Sequence, residues 1–377
     1  AKEGSMTARV ALFCTNFLPY SQTFIYDQIR FHSRYEVDVF AWRRHYAERF
    51  PFPRVHLGGP LYPLRGRSRS FAKVFEERKF DLIHAHFGPA GALASYWAKR
   101  YRLPLAVTFH GYDVPILTSS RRFRPEWLPY AASAKKMLQT MDLGLCDSQE
   151  LLEMLVDYGV PASRLLRHPL GIDLEGFRGD VEAPRRPQVI MIGRFVEKKG
   201  LAYGIRAFAL AQRKVPEARL VIVGDGELEP KLKALVQELD LSASVQFTGV
   251  QSPAQIQEHL RASAVLLAPS VVASWGDRDS GIIVVKEASA SGVVPIGTWH
   301  GGIPEIIEEG RSGYLVQERD VKGMGERLAT LLSDEPLRLK LARGARQKME
   351  REYEGRMLVS KLEDCFDALI HPATPRP

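Results

Sequence analysis

Asp279-Ser-Gly-Ile-Ile-Val-Val-Lys-Glu287 sets two acids eight residues apart, where a polar loop gives way to an apolar-periodic segment. Its flanks decide the fold. Upstream, the short apolar run Ala264-Val-Leu-Leu-Ala268 stops at Pro269-Ser270, as a buried strand does. Downstream, Gly292 is placed to end a helix, 293–296 reads as another strand, and Gly301-Gly-Ile-Pro-Glu305 as a turn. Strand, loop, helix and strand make one α/β unit, with its helix expected to begin near Gly281. A helix start presents unpaired backbone N–H groups and a positive dipole end, so the amides of Gly281, Ile282 and Ile283 are expected to cradle phosphate. A solvated helix face is the plain alternative for any single acid pair.

The same alternation fills the chain. The first half opens with Val10-Ala-Leu-Phe-Cys14, the turn Asn16-Phe-Leu-Pro-Tyr20 and Ser21 as a helix cap. Apolar runs follow at 37–40, 82–85, 105–109 and 143–146. The second half has runs at 189–192, 220–223, 245–247 and 265–268, with helical patterns at about 335–350 and 355–370. Strands alternating with helices imply parallel sheets with helical crossovers, so the fold class is α/β. The stretch 174–187, rich in charge, Gly and Pro, reads as the link between halves. The expected domains are 6–178 and 186–350, with 351–371 as a C-terminal helix packing back on the first.

With 377 residues, 45% hydrophobic and 25% charged, the chain suits two globular domains. No apolar run reaches the roughly 18–20 residues that cross a bilayer. Gly4-Ser-Met6 reads as an expression scar, and no secretory leader is expected. Cys14, Cys146 and Cys365 lack metal-ligand spacing and suit a reducing compartment. The net charge of +8 is uneven: residues 41–140 carry 18 basic and 6 acidic side chains, interleaved with aromatics such as Trp42, Phe50 and Trp127. That surface suits an anionic membrane face or an anionic acceptor. Nucleic acid is not expected, because no helix-turn-helix, zinc-finger or RRM pattern accompanies the charge.

Several motifs together resemble glycosyltransferase family 4, the retaining enzymes of the GT-B fold. They are Gly193-Arg-Phe-Val-Glu-Lys-Lys-Gly200, Gly224-Asp-Gly226, the acids Asp279 and Glu287, and Gly301 to Glu305. In the first half, His84-Ala-His-Phe87, Phe109-His-Gly-Tyr-Asp113 and Pro19-Tyr-Ser-Gln-Thr-Phe-Ile25 resemble the bacterial exopolysaccharide subgroup of the colanic-acid type. The resemblance implies two Rossmann-like domains with parallel sheets facing across a cleft. It implies a nucleotide-sugar donor, a UDP-sugar in the first instance, and a saccharide or lipid-linked acceptor.

By the same resemblance Arg194 and Lys199, beside Gly193, would stabilise the leaving diphosphate. Glu287 would hold the ribose, and Asp279 hydroxyls of the donor sugar. His110 would approach the sugar through its carbonyl and ring. Gly249 and Val250 would lie near the base, while Asn16, Ser21, Gln22 and Asp113 would line the acceptor side. No metal and no cofactor are expected.

The sequence departs from the family pattern at three points. Asp279 stands where Glu is usual and ends about 1–1.5 Å shorter. Gln22 stands for a frequent Glu, and Lys286 for an apolar residue. The leading expectation is a cytoplasmic transferase, peripheral on the inner membrane face. A transferase with a soluble small-molecule acceptor and a catalytically silent sugar-nucleotide-binding protein are the alternatives.

Overall fold

The computed structural model describes residues 7–19 and 22–372. They form two compact units, Ala1–Gly171 with Gly355–Pro377, and Ile172–Glu354.

The first unit is built on seven strands: β1 (Ala8–Phe17), β2 (Tyr35–Arg44), β3 (Val55–Leu57), β4 (Leu82–His86), β5 (Leu105–Phe109), β6 (Leu143–Cys146) and β7 (Leu165–Arg167). They pair in parallel in the order β3-β2-β1-β4-β5-β6-β7. A parallel sheet is covered on both faces, which is why these strands are continuous apolar runs rather than alternating ones. Along β1 the faces separate with period two. Leu12 and Cys14 pack with Ile25 and Ile29, and Val10 with Leu362 and Phe366. Phe13 faces the opposite way, into Phe40, Phe71 and Phe75.

The second unit repeats the scheme with β8 (Gln188–Ile192), β9 (Arg219–Val223), β10 (Val245–Gly249), β11 (Val265–Ala268), β12 (Val294–Thr298) and β13 (Tyr314–Val316). These too are parallel, in the order β10-β9-β8-β11-β12-β13. In each sheet the order reverses once, between β1 and β4 and between β8 and β11. Ligands of such sheets bind at the carboxyl ends of the strands beside that reversal.

The stretch 174–187, expected as a link, packs into the second unit instead. Its Arg185 guanidinium donates to the carbonyls of Leu260, Ser263 and Ser291 at 2.8, 2.9 and 2.6 Å. The expected helix start near Gly281 falls at Ile283, the helix being Ile283–Ala290, with Gly292 in the left-handed conformation just beyond it. Ser21, expected as a cap, lies outside the described residues.

The C-terminal helix Gly355–Ile370 belongs to the first unit and is anchored by one carboxylate. Glu363 is fully buried. It accepts hydrogen bonds from the Ser33 and Arg34 amides at 2.8 and 2.9 Å, from Arg34 Nε at 3.0 Å and from His32 Nδ1 at 3.1 Å. Burial alone would raise its pKa. The bonds from His32, Arg34 and Ser33 outweigh that and hold it well below the usual carboxylate range. Glu363→Ala should cost about 1–3 kcal/mol, because it leaves the buried His32 ring and the Ser33 and Arg34 amides without their acceptor. A depressed carboxylate stabilises above its unfolded pKa and loses that contribution as pH falls through the folded one. Thermal unfolding from pH 5 down to pH 3 should therefore show a steeper stability loss in the wild type than in the variant. Parallel curves would discard this anchor.

Candidate functional site

Two groups of polar side chains stand at the carboxyl ends of the strands, one in each unit.

In the second unit the chain leaves β8 through Gly193 and Arg194, and the single 3-10 turn Glu197–Lys199 brings it to Gly200. Gly200 has φ 59°, and a Cβ there would stand 1.9 Å from the Pro269 carbonyl oxygen. Only glycine lets this turn press so closely on the end of β11. The approach is sealed by Val271 N–H donating to the Lys198 carbonyl at 2.9 Å. Gly224 does the same service next door, its Cα against the Gly193 carbonyl.

The close approach creates a buried ionic cluster. Asp279 is 6% exposed. Its Oδ2 accepts from Lys199 Nζ at 2.9 Å and Ser270 Oγ at 2.7 Å, and its Oδ1 lies 3.7 Å from Lys198 Nζ. Lys198 is buried and donates to Asp277 Oδ1 at 3.0 Å and to the Arg278 carbonyl at 3.3 Å. Burial would raise the Asp279 pKa, but the charges of Lys199 and Lys198 and the Ser270 bond hold it well below the usual carboxylate range. Asp279 is thus a permanent anion whose first partner is Lys199. The sequence assigned these two residues to sugar and diphosphate separately, whereas the structure couples them.

The other expected donor residues share this edge. Arg194 is exposed on the loop after β8. Gly281, Ile282 and Ile283 lead into the helix Ile283–Ala290, and Glu287 is half-buried one turn further along it. Gly249 ends β10, its carbonyl accepting from Gly224 N–H at 2.9 Å, and Val250 beyond it is exposed. Lys286, the unusual residue before the second acid, is buried with Nζ 4.6 Å from the centre of the Tyr353 ring. A cation–π contact accounts for a lysine there.

In the first unit His110 directly follows β5, and its side chain is 4% exposed. Asp147 Oδ2 accepts from His110 Nδ1 at 2.7 Å, and His86 Nδ1 lies 2.9 Å from His110 Nε2. With Nδ1–H given to the carboxylate, His110 Nε2 and His86 Nδ1 share one hydrogen bond. Burial pushes the His86 pKa well below its ordinary value, so His86 is neutral. Both ring nitrogens of His110 are therefore taken up within the unit. Phe24 and Phe87 pack on the ring with centroids 4.9 and 4.5 Å away.

Asp113 is fully buried, and its carboxylate accepts from the Gly88 and Gly111 amides at 3.0 Å each. It clasps the loops after β4 and β5, and it also lies 3.3 Å from the His110 amide, so of its two expected roles, orienting His110 or meeting the acceptor, the contacts match the first. Asn16 is half-buried near the end of β1, its Oδ1 3.4 Å from His45 Nε2. Gln22 is half-buried and precedes the helix Thr23–Phe31.

Sequence reading missed Asp147, Ser270, Asp277, Lys198, His300 and Glu318. Asp147, His300 and Glu318 each lie one or two residues past a strand end, which is the signal that could have found them. Among the described residues, no group of three or more His, Cys, Asp or Glu is placed to hold a metal ion, and no helix is long and apolar enough to cross a membrane.

Comparison with known proteins joins these features. Residues 23–175 match the model for Glycosyltransferase Family 4, and 177–348 the model for Glycosyl transferases group 1. The amylovoran biosynthesis glycosyltransferase AmsK of Erwinia amylovora is 29% identical over 295 residues, 77% of this chain and 70% of that protein. The N-acetyl-alpha-D-glucosaminyl L-malate synthase of Bacillus anthracis is 27% identical over 362 residues, 94% of this chain and 88% of that one. Among solved structures, Anabaena Alr3699/HepE in complex with UDP-glucose superposes with a TM-score of 0.76 at 19% identity, over 96% of this chain and 99% of that one. With both halves matched in order and a GT-B fold shared over nearly its whole length, the chain belongs to glycosyltransferase family 4, beside enzymes of bacterial exopolysaccharide synthesis.

Proposed function

We propose that the protein is a retaining hexosyltransferase that moves a sugar from a UDP-sugar to a lipid-linked or oligosaccharide acceptor without a metal ion. The observation that carries this reading is the Lys199–Asp279 pair beside the start of the helix Ile283–Ala290, at the reversal of the second sheet. As the bond from the anomeric carbon to the diphosphate breaks, negative charge grows on the leaving oxygen. An ammonium group, a guanidinium and helix-start amides placed there stabilise that charge. Lys199, Arg194 and the amides of Gly281 and Ile283 fill these roles; the Ile282 amide, also expected there, instead donates to the Ser280 carbonyl at 2.9 Å. Glu287 accepts from the ribose hydroxyls, and Asp279 Oδ1 faces the donor sugar. The acceptor oxygen attacks from the face the phosphate leaves, and the phosphate takes its proton, so configuration is retained.

A UDP donor is favoured by the likeness to a fold solved with UDP-glucose. A soluble small-molecule acceptor is the second reading, favoured by the L-malate synthase relative that spans 94% of this chain. The deciding experiment is donor hydrolysis and transfer over a panel of UDP-, GDP-, ADP- and TDP-sugars, with and without excess chelator. UDP-sugar turnover should persist in chelator and give a product of unchanged anomeric configuration by NMR. Turnover abolished by chelator and restored by manganese would remove the metal-free mechanism, and an inverted product the retaining one.

The site residues make a second test. Lys199→Ala should lower turnover about a hundredfold, as loss of one strong electrostatic donor does. Glu287→Ala should weaken UDP about ten- to a hundredfold, the range for a charged hydrogen bond. Asp279→Asn removes a negative charge beside the diphosphate while keeping the side-chain shape. It should bind UDP at least as tightly as the wild type and still turn over more slowly. Calorimetry showing UDP weakened as much in Asp279→Asn as in Glu287→Ala would end the division of roles.

We further propose that the first unit docks on an anionic membrane face at the cytoplasmic side. A surface groove of about 720 Å³ is lined by Arg67, Arg69, Arg100 and Tyr96. Arg67 lies 4.9 Å over the Tyr96 ring. Leu57 at the end of β3 and Leu61 beyond it are exposed, and the Leu57 carbonyl accepts from Ser70 at 2.9 Å. Replacing the three arginines with alanine should reduce flotation with phosphatidylserine vesicles about a hundredfold in affinity, at about 1 kcal/mol per side chain. High salt should do the same. Equal flotation of variant and wild type would place the contact elsewhere.

A further inference from the structure

Beside Asp279 a buried imidazole ties three loops together. His300 lies two residues past β12, with its side chain 1% exposed. On one side its Nδ1 lies 2.7 Å from Glu318 Oε1, two residues past β13. On the other, its Nε2 accepts from the backbone N–H of Asp279 at 2.9 Å. A carboxylate only accepts, so the proton sits on Nδ1 and the lone pair on Nε2. The Glu318 bond thereby selects the one tautomer that can receive the Asp279 amide. Bonds of this kind set ring orientation and tautomer wherever a histidine serves as an acceptor.

The same pair also holds the other arm of the loop. Glu318 Oε2 accepts from Val272 N–H at 3.0 Å, and Thr298 Oγ1 donates to the Ser270 carbonyl at 2.6 Å. The segment from Ser270 to Asp279 is therefore fastened at its departure and at its return to the ends of β12 and β13. Its return point is the main chain of the residue whose carboxylate meets Lys199. An Asp side chain has only two rotatable bonds, so a shift of its backbone is passed almost directly to its carboxylate.

We propose that His300, in the tautomer set by Glu318, is a positioning residue: it fixes the Asp279 main chain so that the carboxylate stays on Lys199. It touches neither donor nor acceptor, and its effect falls on turnover rather than on nucleotide binding. The activity arm of this proposal rests on the transferase reading.

The test separates the two ring nitrogens in the full-length chain. His300→Gln places an acceptor where Nε2 stands, while His300→Asn reaches only the Nδ1 position and leaves the Asp279 amide unmet. His300→Ala removes both. Amide exchange of 271–282 by mass spectrometry, UDP affinity by calorimetry and UDP-sugar turnover are read for each. Loss of a buried partner should speed exchange and lower turnover about tenfold or more in the Asn and Ala variants, with UDP affinity within about threefold of wild type. The Gln variant should stay within about threefold of wild type in all three. An Asn variant equal to or better than Gln would overturn the proposal, as would unchanged exchange in His300→Ala. A wild type that turns over no sugar-nucleotide would defeat the transferase reading alone, and the exchange data would still decide the tether.

Discussion

A carboxylate that is buried and charged must be surrounded by donors, and that requirement organises the second unit. Asp279 reaches its low exposure only because two lysines and a serine converge on it. None of them is near it in sequence except Ser270. Their convergence needs the turn 197–199 to lie against the end of β11, which in turn needs glycine at 200. It also needs the returning loop to be pulled in, which the His300 amide bond does. An uncompensated charge in such a place costs several kcal/mol, so these features stand or fall together.

The first unit surrounds its carboxylate with imidazoles rather than ammonium groups. His110 stands between Asp147 and His86, and burial keeps His86 neutral. Beyond it, His86 Nε2 is a buried atom with no hydrogen-bond partner among the described residues. The two groups therefore differ in kind. One is a cluster of ammonium groups on carboxylates. The other is a hydrogen-bonded row of two imidazoles and one carboxylate.

Most of the fold was legible because parallel strands are buried on both faces and leave unbroken apolar runs. The runs at 105–109, 143–146 and 265–268 coincide with β5, β6 and β11. The strands that escaped notice were β3, β7 and β13, each three residues long and at a sheet edge. A short edge strand is set by its neighbour's hydrogen bonds and carries little pattern of its own. The site was legible only in part for a related reason. Motifs mark residues whose spacing along the chain is fixed. They are blind to partners such as His300 and Glu318, which reach the loop 270–279 only after β12 and β13 have paired. Asp113 shows the converse, since its motif position was visible and its bonding to the Gly88 and Gly111 amides was not.

The two adjacent lysines show how much the surroundings decide. Both are cations on one turn, and both approach Asp279. An ammonium group has three donors. Lys198 directs its donors to Asp277, to the Arg278 carbonyl and toward Asp279, and its side chain is 8% exposed. Lys199 makes one short bond to Asp279 and keeps 19% of its side chain exposed. The first lysine joins the two loops. The second is held in place by one proton and has others to turn toward an incoming anion. Asp279 therefore does not cancel Lys199 as a binding group. It fixes the direction from which Lys199 can donate, and a fixed donor is what stabilises a developing charge without reorganisation.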